Sequence, residues 1–158
     1  MNDVCIVSAK RSAVGSLGKS LKNENAEVIG SSVILQTLND LSLNTNEIDE
    51  VIMGQVLTGG SGQNPARQAS LKSGIPKETP AYLVNQVCGS GLRSIASGFQ
   101  SIRSGDSKIV IAGGQENMSI APHSIFYRDK KKISEDKLLD TMINDGLIDS
   151  FNNYHMGV

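Results

Sequence analysis

The amino-acid sequence predicts an α/β fold built on a mostly parallel sheet covered by helices, and three observations predict it. Four short apolar runs, at residues 4–7, 48–53, 80–84 and 108–114, read as buried strands. Between them, apolar residues recur at helical spacing. The joints carry the glycines, prolines and asparagines that close one element or open the next. Strand alternating with helix in this way is the pattern of a parallel sheet with helical crossovers.

Val4, Cys5, Ile6 and Val7 are expected to form the first strand, buried in the sheet, with a polar glycine-containing loop running on through Gly18. Val28, Ile29, Val33, Ile34, Leu35, Leu38 and Leu41 lie close to one helical face, so a helix is predicted over 25–41, broken by Asn44 and Asn46. The second strand, 48–53, ends at Gly54 and the Gly59-Gly60-Ser61-Gly62 loop. Pro65 suits the first position of a short helix reaching about Ser73, because the amide hydrogen it lacks would be unpaired there anyway. Gly74 suits its end. Leu92, Ile95, Ala96, Phe99 and Ile102 then mark a helix after the third strand, stopped by Gly105.

Beyond Asn117 the texture changes. Residues 118–127 are irregular, 128–132 are basic, and 134–148 read as a mixed helical stretch. The shift predicts a boundary, with residues 1–117 forming the sheet unit and 118–158 the start of another. No later apolar run is available to cover the outer edge of the fourth strand. That edge either pairs with another chain or belongs to something longer.

Composition narrows the function classes. A net charge of −1 offers no electrostatic footprint for nucleic acid or an anionic membrane. With no Trp and only 4% aromatic residues there is no stacking platform for single strands. No apolar run approaches bilayer length, and the acidic start Met1-Asn2-Asp3 does not read as a signal peptide. A cytoplasmic location with reduced thiols is the expectation. Cys5 and Cys88 lack metal-ligand spacing and only His123 and His155 accompany them, so neither metal nor disulfide is expected. The run Lys130-Lys131-Lys132 reads as a solvated face rather than a phosphate site. The glycine loop at 59–62 lacks the order of a phosphate-binding loop.

Cys88 is the candidate catalytic residue. It lies between the strand at 80–84 and the helix that begins near Gly89. Unpaired amides and the macrodipole at such a helix start favour a thiolate, the reactive form. Gly89 and Gly91 clear space for a substrate to approach the backbone, whose N–H groups could hold a developing oxyanion. A free cysteine is more often a small buried hydrophobe, and Cys5, inside a predicted strand, keeps that reading.

Asn85-Gln86-Val87-Cys88-Gly89-Ser90-Gly91-Leu92-Arg93 resembles the nucleophile motif of the thiolases, specifically the acetyl-CoA acetyltransferases. Four further blocks resemble the same family. They are Ser8-Ala9-Lys10-Arg11 with Gly15-Ser16-Leu17-Gly18, Gly62 to Ala69, Ala112 to Ser119 with Ala121-Pro122-His123, and Tyr154-His155-Met156-Gly157. The resemblance covers the whole chain and implies a thiolase-like layered fold, of which this is the first βαβαβαβ half plus the start of the loop domain. It further implies that Cys88 carries an acetyl group in a ping-pong Claisen condensation of two acetyl-CoA molecules to acetoacetyl-CoA, or the reverse thiolysis. His155 and Met156 would line the acyl pocket, and the block 62–69 would lie at a dimer interface. On its own residues His155 reads only as a surface histidine. Coenzyme A thioesters would be substrates, no cofactor is required, and a homodimer or tetramer is expected of a full-length chain.

Thiolases also use a Gly-His-Pro histidine, a second cysteine near the C-terminus and an asparagine motif; none of these motifs occurs in the 158 residues, and Cys5 is in the wrong place to stand in for that cysteine. The chain therefore resembles an N-terminal portion, cut inside the loop domain and lacking the last strand of the first sheet. By itself it is expected to have no useful turnover. Two alternatives stand beside this reading. One is a β-ketoacyl synthase-like condensing enzyme, which also places a cysteine at a helix start. The other is a non-catalytic remnant that only associates with a partner chain.

Overall fold

The computed structural model describes residues 3–128 and 138–158. The order of elements is α1 (Ala26–Leu41), β1 (Glu50–Gly54), α2 (Pro65–Lys72), β2 (Ala81–Val84), α3 (Ser90–Ser104), β3 (Val110–Gly114), β4 (His123–Ser124), β5 (Leu139–Asp140) and α4 (Thr141–Gly146). Strands β2, β1 and β3 form a parallel sheet in that spatial order, with Gly54 in register with Val84 on one side and Gly114 on the other. An α/β fold with a parallel sheet is therefore what the chain adopts.

Alternation along β1 decides the layers. Val51 and Met53 point to one face, where they meet Ile34 and Leu38 of α1 and Ala66 and Ala69 of α2 in the main core. Ile52 and Gly54 point to the other, against α3. The central position of β1 explains why Val51, Ile52 and Met53 are all buried, an apolar run without alternation. Helix α3 sits close to the sheet because its contact residues are small: Ser90, Ser94 and Gly98 are its buried positions.

Caps follow from local chemistry. Asn64 accepts the Arg67 N–H at 3.0 Å and donates from Nδ2 to the Ala81 carbonyl at 2.9 Å, tying the start of α2, with Pro65 in its first turn, to β2. Gly105 ends α3 in the left-handed conformation expected of it, at φ 89°. The Asp49 carboxylate accepts the N–H groups of Lys108 and Ile109 at 2.7 and 2.9 Å, which places the start of β3 beside β1. The Ile109 bond first, and then that of Lys108, hold this carboxyl below its ordinary value.

Two expectations are corrected. Residues 4–7 do not form a strand: the segment is extended and irregular, Ile6 and Val7 are 76% and 74% exposed, and Cys5 is exposed rather than buried. Among the described residues no backbone pairs with this segment, and an apolar run becomes a strand only where one does. A groove of about 920 Å³, walled by this segment, α1, α3 and β3, lies where a neighbour would be needed. The first element of the predicted alternation is thus missing, and the order opens on α1. Among the described residues of the expected mixed helical stretch, 138–148, only Thr141–Gly146 (α4) is helical, capped by Asp140, whose Oδ1 accepts the Met142 N–H at 2.9 Å. Residues 129–137, with Lys130, Lys131 and Lys132 among them, lie outside the described residues.

Candidate functional site

All three strands of the sheet point their C-terminal ends at one rim. Ligands of parallel α/β sheets bind beyond such ends. Strand β2 leaves this rim at Val84, and within five residues the chain has turned into α3. The turn is held by its own amides: the Gly89 N–H donates to the Gln86 carbonyl at 3.0 Å and the Ser90 N–H to the Val87 carbonyl at 3.1 Å. Cys88 follows Val87, whose φ is +48°, and directly precedes Gly89, the N-cap of α3. Its side chain is exposed.

Glycines let α3 approach the rim closely. A Cβ at Gly54 would lie 2.4 Å from the Ser90 carbonyl carbon and 2.6 Å from the Gly91 nitrogen. At Gly114 it would lie 3.4 Å from the Gly91 Cα. The helix start, and Cys88 with it, is therefore seated on bare strand backbone.

Polar side chains of the neighbouring strand ends form a second layer that sequence reasoning assigned no role. Gln115 donates from Nε2 to Gln55 Oε1 at 2.9 Å and to the Pro65 carbonyl at 3.2 Å, and both glutamines are buried. Glu116 Oε2 accepts the N–H groups of Val56 and Leu57 at 2.9 and 3.2 Å. Burial pushes the Glu116 carboxyl above its ordinary value, against the pull of those bonds. Asn117 Nδ2 donates to the carbonyls of Leu21 and Glu24 at 2.8 and 2.6 Å, and Ser119 Oγ accepts the Gly18 N–H at 3.0 Å, so the loop before α1 is pinned to the exit of β3. The available signal was a run of uncharged and acidic polar residues, Gln115-Glu116-Asn117, directly after an apolar strand.

His155 and Met156 lie in a short return of the chain, where the Met156 N–H donates to the Leu147 carbonyl at 2.8 Å and His155 Nδ1 accepts the Gly157 N–H at 3.0 Å. Both are exposed. Among the described residues no hydrogen bond joins this return to the turn of Cys88. The large groove between residues 4–17 and β3 does not include Cys88, which stands on open surface. No helix of the described residues is long and apolar enough to cross a membrane.

Comparison with known proteins agrees with this architecture. The family profile described as the thiolase N-terminal domain matches residues 4–158. An acetyl-CoA acetyltransferase from Pseudomonas aeruginosa is 52% identical over 159 residues, covering 100% of this chain and 40% of the relative. A cytosolic acetyl-CoA acetyltransferase from Rattus norvegicus is 47% identical over 155 residues, covering 98% and 39%. The crystal structure of the Acat5 thiolase from Ascaris suum in complex with coenzyme A superposes with a TM-score of 0.83 at 36% identity, covering 90% of this chain and 37% of that one. The chain thus spans about 40% of the length of the curated relatives it matches. It belongs to the thiolase family, over the part of the fold that forms the family's N-terminal domain.

Proposed function

We propose that the chain supplies the nucleophile half of an acetyl-CoA acetyltransferase, with Cys88 as the residue that carries the acetyl group. The observation that supports this is an exposed cysteine at the start of α3, on the rim where the parallel strands end. In the first step the Cys88 sulfur attacks the carbonyl carbon of an acetyl thioester. A carbon–sulfur bond to Cys88 forms as the bond to the coenzyme A sulfur breaks, and the thiol proton ends on the departing coenzyme A. In the second step another acetyl-CoA loses an α-proton and its carbanion attacks the carbonyl carbon of the acetyl-enzyme. A carbon–carbon bond forms as the bond to the Cys88 sulfur breaks, giving acetoacetyl-CoA, and the proton ends on the released thiol. Backbone N–H groups at the helix start are the oxyanion donors of this reading.

His155 and Met156 are assigned to the wall of the acyl pocket, residues 118–158 to the start of a loop domain, and the whole protein to a cytosolic dimer or tetramer. The proton transfers require the family's Gly-His-Pro histidine and its later cysteine, motifs that do not occur in these 158 residues. Loss of a general base and an oxyanion donor costs several orders of magnitude in rate. The chain alone is therefore expected to show no thiolysis of acetoacetyl-CoA.

Intact-mass measurement after mixing with acetyl-CoA tests the assignment in an assembly that contains the remaining thiolase motifs. One added acetyl group at Cys88, absent in Cys88→Ser, is the expected result. Acetylation elsewhere, or undiminished in the variant, would overturn it. Loading from malonyl-CoA in preference to acetyl-CoA would favour the β-ketoacyl synthase-like alternative.

A further inference from the structure

Local sequence and backbone disagree at the residue before Cys88. Val87 is β-branched, yet it occupies the left-handed region at φ +48°, where an L-residue's Cβ crowds the following carbonyl oxygen. Such a conformation persists only where its surroundings over-determine it. Val87 is 41% exposed, so side-chain packing is a weak restraint.

Hydrogen bonds supply the restraint, and one atom makes two of them. Ser90 is 4% exposed. Its Oγ accepts the Gln86 N–H at 2.8 Å and donates to the Val87 carbonyl at 2.6 Å, so one hydroxyl ties the Asn85–Gln86 peptide unit to the Val87–Cys88 unit and brackets Val87 between them. Around this bridge, Asn85 Oδ1 accepts the Val87 N–H at 2.9 Å and Arg93 Nε donates to Gln86 Oε1 at 2.6 Å. Room for this side chain comes from Gly54, on which a Cβ would lie 2.7 Å from that of Ser90.

We propose that Ser90 is a positioning residue: its hydroxyl latches Val87 in the left-handed conformation and so presents Cys88 at the exposed start of α3. The inference rests on Cys88 being the reactive thiol, whereas the latch itself is a property of the turn. Ser94 provides the contrast. It is also buried and on the same helix, but its hydroxyl bonds the carbonyls of Gly91 and Gly113 at 2.6 and 2.7 Å and does not touch the turn.

Two measurements on the chain test it. Hydrogen exchange reads the Gln86 amide, and iodoacetamide labelling reads the rate at Cys88 relative to Cys5 of the same molecule. Ser90→Ala is expected to speed Gln86 exchange about tenfold, the equilibrium effect of one lost buried hydrogen bond, and to lower the Cys88-to-Cys5 ratio several-fold. Ser94→Ala, compared at equal global stability, is expected to change neither. Adding Val87→Asn to Ser90→Ala is expected to restore the labelling ratio, because Asn adopts the left-handed region at small cost. A merely structural serine predicts no such rescue.

Unchanged Gln86 exchange, or an unchanged ratio, in Ser90→Ala overturns the proposal. If Cys88 of the unsubstituted chain labels no faster than Cys5 while Gln86 exchange responds as expected, the latch stands and the nucleophile assignment fails. Should Ser90→Ala not fold, Val87→Asn alone carries the test: it must stabilise the chain and leave the ratio unaltered, and a loss of stability overturns the latch.

Discussion

Glu116 shows how one side chain can be both a support and a burden. Its carboxylate accepts two N–H groups of the chain leaving β1, while its other oxygen is buried without a partner among the described residues. Burial raises its pKa, so the charged form is the one that folding disfavours. The stability this group contributes is full below its unfolded pKa and is lost as pH rises through the higher folded value. Glu116→Gln keeps an oxygen for both donors and removes the charge. The variant is expected to match or exceed the parent in stability at neutral pH, with the gap closing as pH falls into the carboxylate range. Urea unfolding at a series of pH values measures this, and a variant clearly weaker at neutral pH would contradict it. At this scale Cys88 was legible because its signal is local: a cysteine, two glycines and a helical repeat within about a dozen positions. Ser90 and Glu116 were not, since their partners are set by the shape of a turn and by residues about sixty positions away.

The strands and helices were largely legible for a similar reason. Helix α1 ends where asparagines follow, α2 begins at Pro65, and α3 stops at Gly105, each a matter of neighbouring residues. What periodicity could not convey is the seating of α3 on β1. That contact runs between Gly54 and the Ser90–Gly91 backbone, positions far apart in the chain. A methyl group at Gly54 would meet backbone atoms, which cannot rotate away. Gly54→Ala is therefore expected to destabilise the fold by about 1–3 kcal/mol, the usual range for overpacking, as read by chemical denaturation. It is also expected to displace the start of α3, which crosspeak changes around Cys88 in an NMR spectrum would report. A stability loss no larger than that of an exposed-site substitution would show that the helix start has room to yield.

Across the whole molecule, order radiates from β1. Val51 and Ile52 are fully buried between two neighbouring strands and two helical layers. The segment before Gly15 has no backbone bond to the sheet among the described residues, and the Lys10–Asp40 ion pair is a surface contact with α1. Such a pair contributes little. Hydrogen exchange is expected to be slowest at residues 51–53 and close to the unprotected rate at 4–14. Slow exchange at Ile6 and Val7 would mean that these residues pair after all.

The fold class, the helix and strand positions from α1 to β3, the thiolase membership and the cysteine at the head of α3 were all readable from the order of the amino acids. These follow from composition, period and short motifs, which neighbouring residues carry. That residues 4–7 stay out of the sheet, that Cys5 is exposed and that Val87 is held left-handed under the Ser90 hydroxyl became visible in the folded chain alone. Pairing, burial and strain are relations between backbones brought together in space, and an apolar run or a valine has the same letters whether or not its partner is there.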